Sequence, residues 1–175
     1  MMKQRIFCDM DGTLAVFNLN ASLEDLFTAG YFRRLSSMPQ MVAAARELAS
    51  YPNFEFNVLS HYLNEQDLED KNRWLDEHLP ISASNRIFVP YGESKCSYIP
   101  NGYRTDDVLL DDFSPNLHRW NDHGVGIKVL NGINWNHKTW CGHVINGLAD
   151  AGIIVAAVSG IAYVSKQLVN ASAPK

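Results

Sequence analysis

Short apolar runs recur along this chain, and several of them end directly in acidic or hydroxyl side chains. The first run, IFC, is followed at once by DMDGT. Each run is bounded by polar or turn residues and is separated from the next by a helical pattern. The runs predict strands at residues 5–8, 54–59, 86–89, 107–110 and 125–130, of which the last is the final strand. Strands that alternate with helices predict an α/β protein, a three-layer α/β/α sandwich around a mainly parallel, Rossmann-like sheet.

The intervening segments carry helix signals of different strength. Residues 22–35 predict a helix or a helix pair, broken near Gly30. Proline in the first turn and an Asn N-cap support later helices, which are predicted over residues 39–50, 65–79 and 114–124. A length of 175 residues fits a single domain with one core.

Composition and charge exclude several classes of protein. A content of 46% hydrophobic and 19% charged residues predicts a globular fold, and a net charge of −4 offers no basic surface for a nucleic-acid polymer or an anionic membrane. Three widely spaced cysteines and an N-terminus without a signal-peptide pattern predict a cytoplasmic protein. Residues 151–164 are the most apolar stretch and predict a buried helix or strand pair, with an interfacial anchor as the alternative.

Five polar side chains follow predicted strands, and a parallel sheet would bring them to one edge. Asp9 and Asp11 follow the first strand, Ser60 follows the second, and Asp111 and Asp112 follow the fourth. The carboxyl ends of parallel strands form the ligand crevice of α/β sheets. Four carboxylates gathered there repel one another, and a hard divalent cation relieves the repulsion. Mg²⁺ fits this site, because it binds one or two carboxylates together with water and a substrate phosphate.

The two acids of the first motif suit two different chemical roles. One aspartate can attack phosphorus and form an aspartyl-phosphate, while the second can protonate the leaving oxygen and later activate water. Gly12 permits a tight turn whose N–H groups can hold a phosphate. Ser60 is a candidate donor to a phosphate oxygen. Lys95, in the loop GESKCSY, is the candidate cation that balances phosphate and carboxylates.

Each of these assignments has a structural alternative. The first two acids could belong to a solvated turn, and the later pair could stabilise a helix N-terminus. Ser60 could cap the segment that follows it, and Lys95 could be a surface lysine. Lys71 and Arg73 compete with Lys95, but we set them aside because they lie inside a predicted helix rather than at a strand end.

The order of the motifs resembles the haloacid dehalogenase-like (HAD) phosphatase superfamily. It consists of DMDGTL, a strand ending in Ser60, an isolated Lys95 and then LLDD, and element order extends the resemblance to about residue 130. The resemblance implies a HAD-like fold with Mg²⁺ as cofactor. It implies that Asp9 is the nucleophile and a Mg²⁺ ligand. It implies that Asp11 is the general acid/base, with its backbone carbonyl on the metal.

The same resemblance assigns the remaining motif residues. It implies that Ser60 and Lys95 hold the transferring phosphoryl group. Asp111 would bind Mg²⁺ directly, and Asp112 would support it through water or through Lys95. The predicted metal site therefore comprises Asp9, Asp11, Asp111 and Asp112.

Within the superfamily, DMDGTLAVF and DDFSPN resemble the 5′(3′)-deoxyribonucleotidase family. The resemblance implies a nucleoside monophosphate substrate and a base pocket to which Phe17 contributes, a plain core position being the alternative. His61 is a further candidate substrate contact, with a structural role as its alternative. The family's helical cap must here be reduced to about residues 18–38, where the candidate contacts are Tyr31, Phe32, Arg33 and Arg34.

The leading prediction is a Mg²⁺-dependent phosphomonoesterase that acts on a small phosphorylated substrate, first of all a nucleoside monophosphate. The alternatives are a phosphatase for a sugar phosphate or other small metabolite, a non-catalytic metal- or phosphate-binding module, and a response-regulator-like receiver. We predict one domain over residues 1–175, with no membrane and no nucleic-acid polymer as partner. The sequence leaves open the oligomeric state and the role of the segment from about residue 134.

Two features of that last segment suggest a metal or a stacking surface, and neither is adopted. His137, Cys141 and His143 lie close together in sequence, but they lack a second pair of ligands at zinc-finger spacing. We therefore predict no zinc site. Trp135 and Trp140 are predicted to lie in the core or at its rim.

Overall fold

The computed structural model describes residues 2–134 and 139–172, and at its centre lies a six-stranded sheet with parallel neighbours throughout. The strands are β1 (Gln4–Cys8), β2 (Phe54–Tyr62), β3 (Arg86–Pro90), β4 (Val108–Asp111), β5 (Val125–Leu130) and β6 (His143–Asn146). They lie in the order β3-β2-β1-β4-β5-β6. The prediction of a parallel α/β sheet is confirmed, and each of the five predicted strands overlaps one of those observed.

Helices connect the strands and cover both faces of the sheet. They are α1 (Leu23–Leu26), α2 (Pro39–Ser50), α3 (Glu65–His78), α4 (Ser114–Asn121) and α5 (Ala151–Ser172), with 3₁₀ turns at Phe32–Arg34, Ala83–Asn85 and Lys95–Tyr98. The predicted caps are present, since Pro39 occupies the first turn of α2 and the Asp67 N–H donates to Asn64 Oδ1 at 2.9 Å.

The two faces of the sheet carry separate apolar clusters because side chains alternate along each strand. On β1, Ile6 and Cys8 join the larger cluster, whereas Phe7 joins the smaller one. The larger cluster lies under α2, α3 and α5, and the smaller one lies under α4 and the turn Lys95–Tyr98. The three-layer α/β/α architecture is therefore confirmed.

The strand order reverses between β1 and β4, which creates a crevice at their carboxyl ends. From β1 the chain passes outward through β2 to β3, and it then returns to the other side of β1 as β4. Ligands of open parallel sheets bind at such a reversal. The acidic residues that follow β1 and β4 consequently lie beside each other.

Residues 18–38 form a short insertion, in which the helix or helix pair predicted at 22–35 is reduced to α1 and the 3₁₀ turn Phe32–Arg34. α1 is a single turn, capped by Ser22, whose Oγ accepts a hydrogen bond from the Asp25 N–H at 3.1 Å. Gly30, with a φ of +77°, breaks the segment at the predicted place. The sequence overstated this helix because its polar residues bond to nearby backbone groups and end it early.

The second half of the insertion is anchored on α3 through the 3₁₀ turn Phe32–Arg34. Trp74 of α3 donates its Nε1 hydrogen to Leu35 O at 2.8 Å. Arg33 forms an exposed ion pair with Glu77 of α3 at 2.6 Å. The insertion is thus docked on the same helix that follows β2.

The prediction that residues 125–130 form the final strand is wrong, because β6 extends the sheet beyond β5. β6 has four residues, of which Ile145 alone is buried. A single buried position gives no alternating apolar pattern, and the sequence therefore carried no signal for this edge strand.

The segment that was predicted as a buried helix or strand pair is one helix, α5, and only one of its faces is buried. Its buried face carries Ile154, Val155, Val158 and Ala162, whereas Ile153, Tyr163 and Val164 are exposed. The stretch Ala151–Val169 is long and apolar enough to cross a bilayer, and 28% of it is buried inside the structure. Core helices of soluble proteins and signal sequences meet the same criterion of length and composition.

The helix α5 is tied directly to the first strand. Gln4, at the start of β1, donates its Nε2 hydrogens to Ala162 O at 2.8 Å and to Asp106 O at 2.9 Å. The Gln4 side chain is buried, so these two carbonyls satisfy its amide away from water. The helix α5 therefore completes the core rather than standing apart from it.

Two of the predictions for residues 135–143 concern positions outside the described residues, namely Trp135 and His137. Trp140 is buried in the smaller cluster and donates its Nε1 hydrogen to His143 O at 2.9 Å. Its predicted core position is confirmed. Cys141 and His143 are both exposed.

A buried ion pair joins β1 to the segment that precedes β4. Arg5 Nε lies 2.8 Å from Asp107 Oδ1, and Arg5 Nη2 lies 2.6 Å from Asp107 Oδ2. The guanidinium also donates to Pro100 O at 2.8 Å and to Gly102 O at 2.7 Å. Asp107 is fully buried, so the pair is stable only because both members are fully hydrogen-bonded.

We expect Asp107→Asn to lower the free energy of unfolding by about 3 kcal/mol, because it leaves the Arg5 charge buried without its counterion. Urea unfolding followed by circular dichroism measures the loss. The matched control is Asp106→Asn. The Asp106 carboxylate lies 3.6 Å from the partly exposed Arg104, and its loss should lower the free energy of unfolding by less than about 1 kcal/mol. Equal losses in the two variants would contradict this account of the pair.

Candidate active site

Three of the four predicted carboxylates meet at the carboxyl edge of the sheet between β1 and β4. Asp9 follows β1, Asp111 ends β4, and Asp112 comes next. One oxygen of each carboxylate lies within 4.8 Å of the others. The Asp9 N–H donates to Leu110 O at 2.8 Å, so the backbone pairing of the two strands fixes the spacing of these acids.

The buried carboxylates have a chemistry that fits a hard divalent cation. Burial, together with the neighbouring Asp111 and Asp9 carboxylates, raises the pKa of Asp112 to about 8. Burial also raises the pKa of Asp111 above its usual range, and Lys95 opposes that rise. The cluster is therefore short of positive charge, and its oxygen atoms are of the kind that Mg²⁺ binds.

Lys95 lies in the layer that contains α4 and supplies one positive charge to this cluster. It begins the 3₁₀ turn Lys95–Tyr98, and its Nζ lies 2.8 Å from Asp9 Oδ1 and 2.7 Å from Asp111 Oδ2. Burial alone would lower the pKa of Lys95, but Asp111 and Asp9 hold it above its ordinary range. Lys95 is therefore charged and is positioned beside the predicted nucleophile.

Asp112 is held by Asn131, while Lys95 contacts the other two carboxylates of the cluster. The Asp112 Oδ2 accepts a hydrogen bond from Asn131 Nδ2 at 3.0 Å, whereas Lys95 binds Asp9 and Asp111. Burial raises the pKa of Asp112, and the Asn131 hydrogen bond partly offsets the rise. That Asp112 supports Mg²⁺ through water or through Lys95 stays a prediction.

Gly12 makes room for Asp112 and allows the turn beside it. Its φ is +77°, and a Cβ at this position would lie 2.3 Å from Asp112 Oδ2. Asn131 Nδ2 also donates to Gly12 O at 2.7 Å, which links this turn to the end of β5. The glycine is therefore required both by its backbone conformation and by the close approach of the acid.

The Asp11 side chain lies apart from the three-carboxylate cluster and has a lysine of its own. Its Oδ2 contacts Lys71 Nζ, and Ser60 Oγ lies 3.5 Å from the same oxygen. Lys71 was set aside as a competitor of Lys95 because it lies inside a helix, but that position does not keep it away from the site. α3 presents this residue to the sheet edge, and the lysine stem is long enough to reach Asp11.

Ser60 and His61 lie at the end of β2, as predicted, but they meet different groups. Ser60 is fully buried, and its Oγ lies 3.4 Å from Lys71 Nζ. His61 Nε2 lies 2.9 Å from Glu93 O, and its ring packs edge-on against Tyr91. Ser60 is therefore inside the site, while His61 contacts the loop that leads to Lys95.

Phe17 is exposed over 44% of its surface, which excludes the alternative of a plain core position. Of the candidate cap contacts, Phe32 is buried against α3, whereas Arg33 is exposed. Phe17 follows the first motif in sequence, and its exposed ring is therefore accessible to a ligand.

Sequence reasoning did not find Asn131 or assign a role to Lys71. Asn131 directly follows β5 and carries the same signal as the acids, a polar side chain after an apolar strand. It was missed because an amide at a strand end is more ambiguous than a carboxylate. For Lys71 the signal is that charged residues lie on the buried face of α3. The buried residues of this helix are Asp67, Asp70, Lys71, Trp74 and Leu75.

The comparison with protein families gives one match, which spans most of the chain. The model described as 5′ nucleotidase, deoxy (pyrimidine), cytosolic type C protein (NT5C) matches residues 21–157. The matched span begins after Asp9 and Asp11 and includes Ser60, Lys95 and Asp111. A search of curated proteins finds no match.

Several solved structures share the fold at low sequence identity. D,D-heptose 1,7-bisphosphate phosphatase from Burkholderia thailandensis has a TM-score of 0.62 at 12% identity, over 91% of this chain and 99% of that one. A haloacid dehalogenase-like hydrolase from Burkholderia xenovorans LB400 has a TM-score of 0.60 at 12% identity, over 92% and 99%. A HAD-like phosphatase from Mesorhizobium loti has a TM-score of 0.50 at 13% identity, over 91% and 88%. At these identities the likenesses show the HAD-like fold.

We expect Gly12→Ala to cost more stability than the backbone conformation alone explains, because its Cβ would collide with Asp112. Gly102→Ala is the matched control, since Gly102 has a φ of +74° and open space around it. The control should lose about 1 kcal/mol of unfolding free energy, and Gly12→Ala about 1–3 kcal/mol more. Urea unfolding measures both, and equal losses would remove the steric role assigned to Gly12.

We expect Asp112→Asn to stabilise the protein in chelator, and to do so more at pH 8 than at pH 5. Folding raises the pKa of Asp112 from 3.8 to about 8, so the wild type loses stability as the pH rises between those values. Asparagine keeps an oxygen for Asn131 and has no such loss. Thermal denaturation should show a gain of roughly 5 °C at pH 8 and less at pH 5. A gain that is independent of pH, or that the exposed control Asp122→Asn reproduces, would contradict the prediction.

Proposed function

The chain belongs to the family of cytosolic type C 5′ (deoxy, pyrimidine) nucleotidases and is a phosphatase of the HAD-like superfamily, and from this premise we propose its substrate and mechanism. We infer that it hydrolyses nucleoside monophosphates through an aspartyl-phosphate on Asp9, with Mg²⁺ as cofactor. The cytosolic family and the three free cysteines support a cytoplasmic location.

The single observation that carries this proposal is the separation of Asp9 from Asp11. Asp9 lies in the carboxylate cluster with Lys95, whereas Asp11 lies outside it and contacts Lys71. A nucleophile and a general acid/base need different surroundings, since one must stay ionised while the other exchanges a proton. Two equivalent acids in a solvated turn would not be divided in this way.

The residues that would hold Mg²⁺ are Asp9, Asp111 and Asp112, whose oxygens already lie within 4.8 Å of one another. When bound, the ion would offset the repulsion among the carboxylates and the charge of the phosphoryl group. The proposed metal contact through the backbone carbonyl of Asp11 rests on the family resemblance.

The protein's own groups then divide the reaction into two steps. An oxygen of Asp9 attacks phosphorus, the bond from phosphorus to the ester oxygen breaks, and Asp11 gives its proton to that oxygen, which leaves as a hydroxyl group. In the second step Asp11 takes a proton from water, which attacks phosphorus and releases phosphate from Asp9. Lys95 lies 2.8 Å from Asp9 and would stabilise the negative charge during both steps.

Several residues would position the substrate. We propose that Ser60, Lys95 and the Gly12 turn bind the phosphoryl oxygens, and that Phe17 and His61 contact the remainder of the substrate. The insertion at residues 18–38 would act as a reduced cap on the single domain. Because this cap is short, the site would be open, and it would also admit larger phosphorylated substrates.

We expect wild-type protein to release phosphate from nucleoside monophosphates in Mg²⁺, and Asp9→Asn to reduce the rate by at least about a thousandfold. The reason is that an amide cannot act as the nucleophile. The measurement is phosphate release from ribo- and deoxyribonucleoside 5′- and 3′-monophosphates and sugar phosphates, with Mg²⁺ and with chelator. Asp122→Asn, exposed and outside the site, is the matched control.

The outcomes of this panel separate the alternatives. Release confined to sugar phosphates would keep the mechanism and overturn the nucleotide assignment. A folded wild type that binds Mg²⁺ but releases no phosphate would indicate a non-catalytic binding module. A phosphorylated protein that persists after substrate removal would favour a receiver-like role.

A further inference from the structure

Lys71 is a buried cation that the proposed reaction does not use. Its side chain is 2% exposed, and its Nζ contacts Asp11 Oδ2 and donates to His61 O at 2.6 Å. Ser60 Oγ lies 3.4 Å from the same nitrogen. A buried ammonium is costly unless it is paired, and here its ionic partner is the proposed general acid/base.

The contact with Lys71 makes the two oxygens of Asp11 different from each other. Oδ2 is held by the lysine, whereas Oδ1 is buried and has no hydrogen-bond partner among the described residues. The Asp11 side chain as a whole is 21% exposed, although Oδ1 itself is buried. Of the two oxygens, Oδ1 is the one that can exchange a proton without breaking the contact with Lys71.

Lys71 also contacts an aromatic ring of the insertion. The ring of Phe32 lies 4.5 Å from Lys71 Nζ, measured to its centroid, and Phe32 is 7% exposed. A cation over an aromatic face is attracted to it, and more strongly where water is excluded. Phe32 thus adds a second contact that holds the ammonium in place.

We propose that Lys71 and Phe32 are positioning residues that hold Asp11 by its Oδ2, so that its Oδ1 exchanges the proton with the substrate oxygen. This inference rests on the proposed phosphatase function. In this proposal the insertion affects proton transfer without contacting the substrate, because Phe32 acts on Asp11 through Lys71.

The size of the effect follows from the geometry that proton transfer needs. A donor must lie within hydrogen-bond reach of the reacting oxygen, and a displacement of about 1 Å can cost about a hundredfold in rate. The ion pair and the aromatic ring together remove the rotation that would otherwise move Oδ1 away. A purely structural lysine would stabilise the fold without affecting proton transfer.

Proton donation matters most when the leaving oxygen is strongly basic. An alkoxide leaving from a nucleoside 5′-monophosphate needs the proton, whereas p-nitrophenolate leaves readily without it. The value of kcat/KM reports the first step, in which the leaving group departs. Loss of positioning should therefore lower kcat/KM much more for the nucleotide than for p-nitrophenyl phosphate.

The experiment compares Lys71→Met and Phe32→Leu with the matched control Glu77→Gln in Mg²⁺. Glu77 is an exposed residue of α3 that pairs with Arg33, in the same 3₁₀ turn as Phe32, so the control loosens the insertion without removing the contacts of Lys71. For Lys71→Met we expect kcat/KM to fall about a hundredfold on the nucleotide and at most about tenfold on p-nitrophenyl phosphate. For Phe32→Leu we expect a fall of about tenfold on the nucleotide alone, and for Glu77→Gln a change within about twofold.

Equal losses on both substrates, or a loss in Glu77→Gln as large as in Phe32→Leu, would overturn the positioning role. A crystal structure of Lys71→Met gives a readout that does not depend on activity. We expect the Asp11 carboxylate to have turned away from Ser60, and an unchanged Asp11 would also overturn the proposal. An inactive wild type would refute the proposed function, whereas the crystal structure would still decide whether Lys71 positions Asp11.

Discussion

Repulsion among three carboxylates, two of them buried and one half-buried, is the constraint on which this site depends. Asp9, Asp111 and Asp112 are held together by the backbone pairing of β1 with β4, which the apolar core on both faces of the sheet stabilises. The fold thus forces negative charges into contact at a place where water is scarce. Lys95, Asn131 and the turn at Gly12 offset part of this repulsion, and a divalent cation would offset the rest.

The three-layer architecture explains how two acids only two residues apart acquire different surroundings. Lys95 reaches Asp9 from the layer that contains α4, whereas Lys71 reaches Asp11 from α3 on the opposite face. Each helical layer therefore supplies one cation to one of these two acids, and Lys95 also contacts Asp111. The short insertion rests on α3, so in the proposed mechanism it acts on Asp11 and not on the three clustered carboxylates.

The sequence identifies those parts of the site that follow strands and misses those that depend on helix rotation. Asp9, Ser60 and Asp111 were predictable because strand ends in a parallel sheet share one edge. Lys71 was not, since its direction depends on how Trp74 and Leu75 rotate α3 against the core. The strand β6 was missed because one buried residue makes no pattern. The length of α5 was recognised only in part, since its exposed apolar face hides the helical period.

The hydrogen bond from Gln4 to Ala162 O has a consequence for how the chain is made. The first strand emerges from the ribosome long before the helix that covers it, and this pair is separated by 158 residues in sequence. Until α5 arrives, β1 and its neighbours expose one apolar face, a state in which chains tend to associate with one another. Synthesis of almost the whole chain is therefore needed before the nascent protein is protected from aggregation, and removal of α5 by a protease would return it to that state.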